Sequence, residues 1–360
     1  MALHFHTLTV SDIRRETADS VSIALHIPPE LQEAFRFQAG QNLTVRHTLN
    51  GEEVRRSYSL CTAPFDGEWR IAIRKVAGGR FSVYANTKLK AGDQLDVMPP
   101  TGSFTVTPDP RSARNYVAFA AGSGITPVLS MLRNLLKEEP KCRYTLVYGN
   151  RTRATIMFRE AIEALKDRYM DRFRVIHILS REETDTEIHA GRIDSAKCAA
   201  LCPALIDIRN TDAFFLCGPA GMADAVRNYL SAHQVPADRI HSELFSDPGQ
   251  EVHAAPTAAT RSAVAKTLAR ITVKLDGLFT SFDMEEGQDT ILGAALAQGL
   301  ELPYSCRGGM CCTCKSKLEK GEVSMDRNFA LEPDEVKAGY ILTCQSHPKT
   351  PGVTINFDAR

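Results

Sequence analysis

Between Phe5 and Thr107, apolar and polar residues alternate in short bursts: Val21, Ile23, Leu25 and Ile27, then Leu43 and Val45, then Trp69, Ile71 and Ile73. A period of two marks strands with one buried face. Turn pairs separate the bursts at Pro28-Pro29, Asn50-Gly51, Asp66-Gly67, Gly78-Gly79 and Pro99-Pro100. Many short strands with regular turns predict an antiparallel β-barrel. Beyond Asn115 the rhythm changes. Tyr116–Ala121, Tyr144–Tyr148, Phe173–Leu179 and Ala213–Cys217 read as short buried strands. Helical patterns at Pro127–Lys137, Phe158–Tyr169 and Pro219–His233 lie between them. Strands alternating with helices predict an α/β domain with a parallel sheet.

Asp247–Lys266 is rich in Ala, Pro and Thr and has no strong periodicity, so it reads as a linker. After it come an alternating strand, Ile271–Leu275, a helix over Thr290–Gln298 and a dense run of cysteines. The expected architecture is therefore multidomain: a β-barrel over 1–108, an α/β domain over 109–247, a linker over 248–268 and a small α+β domain over 269–360.

Composition narrows the function. Lys and Arg together number 43, as do Asp and Glu, and this zero net charge argues against a nucleic-acid partner. No apolar run approaches the about 20 residues that cross a bilayer, and Met1–Asp12 lacks a signal-peptide core, so no membrane role and a cytoplasmic location are expected. Five of the ten cysteines crowd together near the carboxyl end, while Cys61, Cys142, Cys198, Cys202 and Cys217 are scattered. That clustering favours metal ligation over a disulfide framework.

The crowded cysteines read Cys306-x4-Cys311-x2-Cys314, with Cys344 further along. This spacing is the plant-type arrangement for a 2Fe–2S cluster, with three thiolates in one tight loop and the fourth arriving from a distant strand. Arg307-Gly308-Gly309 lets backbone N–H groups approach the inorganic sulfides. A structural zinc site or plain reduced thiols are the alternatives, and zinc usually takes two C-x2-C knuckles. Cys312 is expected not to ligate. With its flanking Leu302–Ser305 and Leu342–Gln345, the stretch resembles the ferredoxin module of plant-type ferredoxins and oxygenase reductases, which implies a β-grasp fold.

Within the barrel, Arg56-Ser57-Tyr58-Ser59 resembles the RxYS motif of the ferredoxin–NADP+ reductase superfamily. The resemblance implies that Arg56 pairs with the FAD pyrophosphate, Tyr58 stacks on the flavin and Ser59 lies near its reactive edge. Downstream, Arg74, Val76, Gly79, Phe81 and Ser82 occupy the family's second pyrophosphate grip, and Ser82 opens a helix whose amino end suits a phosphate. In the α/β segment, a strand runs into Gly122-Ser123-Gly124-Ile125-Thr126-Pro127, a phosphate-binding turn that resembles the superfamily's GxGxTP. There the resemblance places Thr126 close to the flavin, Cys217-Gly218-Pro219 at the nicotinamide, and Glu243 and Phe245 beside both rings. Ser180-Arg181, with Asn150-Arg151, offers cations and a hydroxyl to the 2′-phosphate, favouring NADPH over NADH.

Taken in order, these domains resemble the reductase components of bacterial oxygenases. The resemblance implies hydride transfer from NADPH to FAD, then single electrons through the 2Fe–2S cluster to an oxygenase component, of the di-iron type in phenylacetate breakdown. Another oxygenase as acceptor, a stand-alone diaphorase and a non-enzymatic carrier are the competing readings.

Overall fold

The computed structural model describes residues 4–245, 267–285 and 290–359; most of the expected linker lies outside them. Among these residues, the first sheet has six strands: β1 His6–Thr17, β2 Ser20–His26, β3 Asn42–Leu49, β4 Glu52–Ser59, β5 Trp69–Arg74 and β6 Gln94–Thr101. Their order is β4-β3-β6-β1-β2-β5, and every pairing is antiparallel. An isolated bridge from Leu60 to Ile71 joins the two ends into a barrel. The alternating residues of the sequence pattern, Val21, Ile23, Leu43, Val45, Ile71 and Ile73 among them, fill its interior. One helix, α1 Arg80–Thr87, adds Phe81 and Ala85 to that core. The Asn50-Gly51 turn between β3 and β4 has positive φ at both residues, 53° and 80°, as a tight primed hairpin requires.

The second sheet comprises β7 Asn115–Ala121, β8 Arg143–Asn150, β9 Phe173–Leu179, β10 Ala213–Gly218 and β11 Ile240–Leu244, in the order β11-β10-β7-β8-β9 and parallel throughout. Helices α2 Ile125–Glu138, α3 Arg159–Arg168, α4 Ser195–Leu205 and α5 Ala220–Ala232 cover both faces. Alternate residues of β7 divide between them: Tyr116, Ala118 and Ala120 pack with α2, and Val117 and Phe119 pack with α4 and α5. Helix α4 escapes the periodicity test because Pro203 interrupts it and its apolar residues form no clear stripe. Its start is fixed by Asp194, which accepts a bond from the Lys197 amide at 2.8 Å.

The third sheet has the order β13-β12-β18-β14-β16. Its strands are β12 Thr267–Leu275, β13 Leu278–Glu285, β14 Lys315–Lys320, β16 Tyr340–Leu342 and β18 Gly352–Asn356; β15 Val323–Met325 and β17 Ser346–Pro348 form a separate pair. The strand at Thr267 begins inside the span expected as linker. Helix α6 Ile291–Ala297 packs into this domain's core, and α7 Pro333–Lys337 lies near its edge. No helix of the described residues is long and apolar enough to cross a membrane.

The joints between units differ. Ala39, Cys61, Ala72 and Phe104, from the barrel and its exit, belong to the same apolar cluster as the α2 face of the parallel sheet. At Gly40 (φ 103°) the backbone runs so close to Phe104 that a Cβ would stand 2.0 Å from its carbonyl oxygen. The third domain has a core of its own. Its contacts with the others include the Thr44–Thr313 hydroxyl pair, the bond from Ser103 to Ala330 and the His241–Glu332 pair.

Candidate functional site

Strand β4 presents Arg56, Tyr58 and Ser59. The Arg56 guanidinium is exposed, donates to the Arg55 carbonyl at 2.8 Å and has no carboxylate partner among the described residues. Tyr58 packs against Phe81 with ring centroids 5.8 Å apart, and burial raises its pKa above the ordinary phenol value. Arg74, at the end of β5, is held by Asp19 at 3.0 Å, yet its buried Nη2 has no hydrogen-bond partner. A Cβ on Gly122 would stand 3.0 Å from its Nη1, so Arg74 reaches from the barrel to the glycine turn. Between them, the Val76–Gly79 turn is closed by the Val76 amide bonding Ser82 Oγ at 3.2 Å. Helix α1 then starts at Gly79 without a side-chain cap, leaving its first N–H groups available. A guanidinium without a counter-ion, an unsatisfied buried guanidinium nitrogen and an uncapped helix start fit the diphosphate of FAD.

The nucleotide residues sit at the carboxyl ends of parallel strands, where such sheets bind ligands. Gly122 and Gly124 follow β7, Cys217-Gly218-Pro219 ends β10, and Asn150-Arg151 ends β8. Ser180 and Arg181 are tied beside Asn150 and Arg151 by two backbone bonds of 3.0 and 2.8 Å. Arg151 and Arg181 are both exposed, a cationic pair open to an anion. Gly124 must lack a side chain, because a Cβ there would lie 2.1 Å from the Cys217 carbonyl oxygen. Two expected residues are less available. The Thr126 hydroxyl donates to the Ser123 carbonyl at 3.0 Å within its own turn. Cys217 is fully buried, and burial followed by the nearby Glu243 charge pushes its thiol well above the usual range.

Among the described residues, no three His, Cys, Asp or Glu side chains surround a single ion. What converges instead is two pairs of thiols: Cys306 with Cys311, and Cys314 with Cys344. The two pairs also feel each other's charge, so all four thiols share one site, and four thiolates suit a two-iron cluster. Donation from Cys306 holds the Cys311 thiol below its ordinary range, and donation from Cys314 lowers Cys344. The amides of Gly308 and Met310 both point at Cys306 Sγ, at 3.4 Å. Arg307, Gly309 and Cys312 take positive φ values of 52°, 75° and 53° as the loop wraps around. Cys312 turns away, donating to the Ala330 carbonyl at 3.2 Å.

All three units meet at Glu243. Strand pairing sets it opposite Cys217, and Ser59 Oγ donates to its Oε2 at 3.1 Å. Burial raises its carboxyl from 4.5 to about 8, against the Ser59 bond that lowers it and with the Cys311 charge that raises it. The same junction is lined by Asn42, Ser103 and Cys311. Sequence reading missed Thr44, Ser103 and Thr313, which carry the contact between barrel and cysteine loop. Thr44 Oγ1 lies 3.0 Å from Thr313 Oγ1, and Ser103 donates to the Ala330 carbonyl at 2.9 Å. Threonines and serines in strands and loops give no sequence signal of such pairing.

Three family models match in chain order: an oxidoreductase FAD-binding domain over residues 7–106, an oxidoreductase NAD-binding domain over 119–228 and a 2Fe-2S iron-sulfur cluster binding domain over 273–349. A component of 1,2-phenylacetyl-CoA epoxidase from Escherichia coli (strain K12) is 43% identical, across 99% of this chain and 98% of its own length. The chain belongs to the oxygenase reductase family. A second relative of this reductase, the ferredoxin reductase component of 3-ketosteroid-9-alpha-monooxygenase from Rhodococcus rhodochrous, is 33% identical across 97% of this chain and 96% of its own. Phthalate dioxygenase reductase matches in structure with a TM-score of 0.58 and 27% identity, covering 98% of both chains. The reductase is thus an oxidoreductase with FAD, pyridine-nucleotide and 2Fe–2S domains, as the sequence pattern led us to expect.

Glu243 gives this site a pH signature. Its folded pKa lies above the ordinary carboxylate value, so the folded protein keeps a proton that the unfolded chain has released. The associated stability is fully present below 4.5 and is lost as pH rises to about 8. In Glu243→Gln, the urea midpoint should decline less steeply with pH across that window; identical slopes would remove Glu243 from this role.

Proposed function

We propose that this reductase oxidises NADPH in the cytoplasm and supplies single electrons to a di-iron phenylacetyl-CoA epoxidase. The observation that carries it is the seating of the Cys311–Cys314 loop against the flavin strand, beside the Ser59–Glu243 pair. Arg56, Arg74 and the amino end of α1, with Val76, Gly79, Phe81 and Ser82, grip the FAD diphosphate, and Tyr58 packs on the ring. Gly122 and Gly124 leave room for the nucleotide's phosphates. Cys217, Gly218, Pro219 and Phe245 wall the nicotinamide pocket, with Thr126 closing the turn beneath it. Ser180, Arg181, Asn150 and Arg151 bind the 2′-phosphate by charge and hydrogen bonds. Cys306, Cys311, Cys314 and Cys344 would hold the 2Fe–2S cluster through their thiolates.

When bound, FAD accepts a two-electron hydride and returns electrons singly to a two-iron cluster that holds one at a time. The chain itself supplies position and electrostatics. Glu243 holds a proton on its carboxyl oxygen, with Ser59 Oγ donating to Oε2. Each NADPH oxidised yields NADP+, a proton and two electrons for the acceptor. The Escherichia coli relative supports the epoxidase as that acceptor, and the ketosteroid monooxygenase relative supports another oxygenase as a second reading.

Cys314→Ser should keep its FAD and its NADPH–ferricyanide activity while losing support of phenylacetyl-CoA epoxidation by reconstituted oxygenase. Unchanged epoxidation would refute the path through the cluster. Arg181→Ala should lower kcat/KM for NADPH by about tenfold and leave NADH turnover unaltered. Equal effects on the two coenzymes would argue against a 2′-phosphate site there.

A further inference from the structure

We propose that Thr44 and Thr313 pin the cysteine loop in register against the flavin strand, and so are positioning residues for electron passage from flavin to cluster. This rests on the function proposed above. Pairing of β3 with β4 sets Asn42 opposite Ser59, Leu43 opposite Tyr58 and Thr44 opposite Ser57. Thr44 therefore stands beside the Arg56–Ser59 motif, on the neighbouring strand β3. Its Oγ1 lies 3.1 Å from Ser57 Oγ and 3.0 Å from Thr313 Oγ1. Thr313 sits between Cys311 and Cys314 and also bonds the Cys311 carbonyl at 3.5 Å. A continuous run of hydroxyls thus links the flavin strand to the loop that supplies three of the four thiols.

Burial makes the link directional. Thr44 is 1% exposed and Thr313 is not exposed at all. A buried hydroxyl that loses its partner is costly, whereas one that opens to water is not. The pin therefore resists small sliding of the docked loop but does not oppose full separation. Among the described residues no apolar cluster spans this seam; each domain keeps its own. Orientation accordingly rests on directional contacts, among them the Thr44–Thr313 contact, the neighbouring bond from Ser103 to the Ala330 carbonyl and the Arg55 guanidinium 4.1 Å over the Tyr304 ring. Passage of one electron from reduced flavin to oxidised cluster makes and breaks no bond, so its rate is governed by the gap and its alignment.

The test compares FAD- and cluster-loaded wild type with Thr44→Val, Thr44→Ser and Ser103→Ala. Valine keeps the β-branched shape that suits a strand and removes only the hydroxyl. Mixed anaerobically with NADPH, Thr44→Val should reduce its flavin at the wild-type rate and its cluster measurably more slowly, by a few-fold. Thr44→Ser should restore the second rate. Amide hydrogen exchange in the oxidised protein, which needs no turnover, should rise at residues 311–314 in Thr44→Val and stay at the wild-type level in Thr44→Ser. Ser103→Ala, which leaves β3 untouched, should show the same split at 329–331 and keeps the test decisive if Thr44→Val folds poorly. Equal cluster-reduction rates or equal exchange in wild type and both hydroxyl-deleting variants would overturn the pin. A wild-type cluster that NADPH never reduces would instead overturn the functional reading itself.

Discussion

The arrangement depends on one hydrogen bond in a dry place, from Ser59 in the barrel to Glu243 at the last strand of the parallel sheet. The two residues are 184 positions apart, and nothing local brings them together. The apolar cluster shared by barrel and nucleotide domain does so. It welds Ala39, Cys61, Ala72 and Phe104 to the α2 face of the sheet. Once that core forms, the flavin strand and the carboxyl ends of β7 and β10 face a common crevice, and desolvation pushes the Glu243 carboxyl well above the ordinary carboxylate range. Hydride chemistry needs two rings held face to face, and a joint built from shared apolar packing is rigid enough to hold them.

The second joint is built from different chemistry because its task differs. Hydroxyls, a carbonyl and a long-range pair between His241 and Glu332 at 3.9 Å attach the third domain. Groups of this kind exchange partners with water at little net cost. A domain that receives electrons on one side and delivers them to a separate protein benefits from a contact that is specific in register but weak in total.

Much of this was legible in the sequence, for local reasons. The cysteine spacing is mostly a property of one loop, and the period-two and period-3.6 patterns record which faces are buried, so the three kinds of domain were readable directly. Helix α4 was not, since Pro203 and its scattered apolar residues hide the stripe. Thr126 was placed by its motif, but its hydroxyl turned out to close its own turn. Thr44 and Thr313 lie 269 positions apart, and ordinary threonines carry no mark of their partner. The paired arrangement of the thiols likewise appears only in three dimensions.

At the centre stands a continuous path within one chain, from pyridine nucleotide through flavin to iron. An anaerobic NADPH titration of the complete reductase, followed by electron paramagnetic resonance without any oxygenase present, tests it most directly. If the path exists, the signal of a reduced two-iron centre grows as the flavin bleaches. Full bleaching with the iron still oxidised would contradict it.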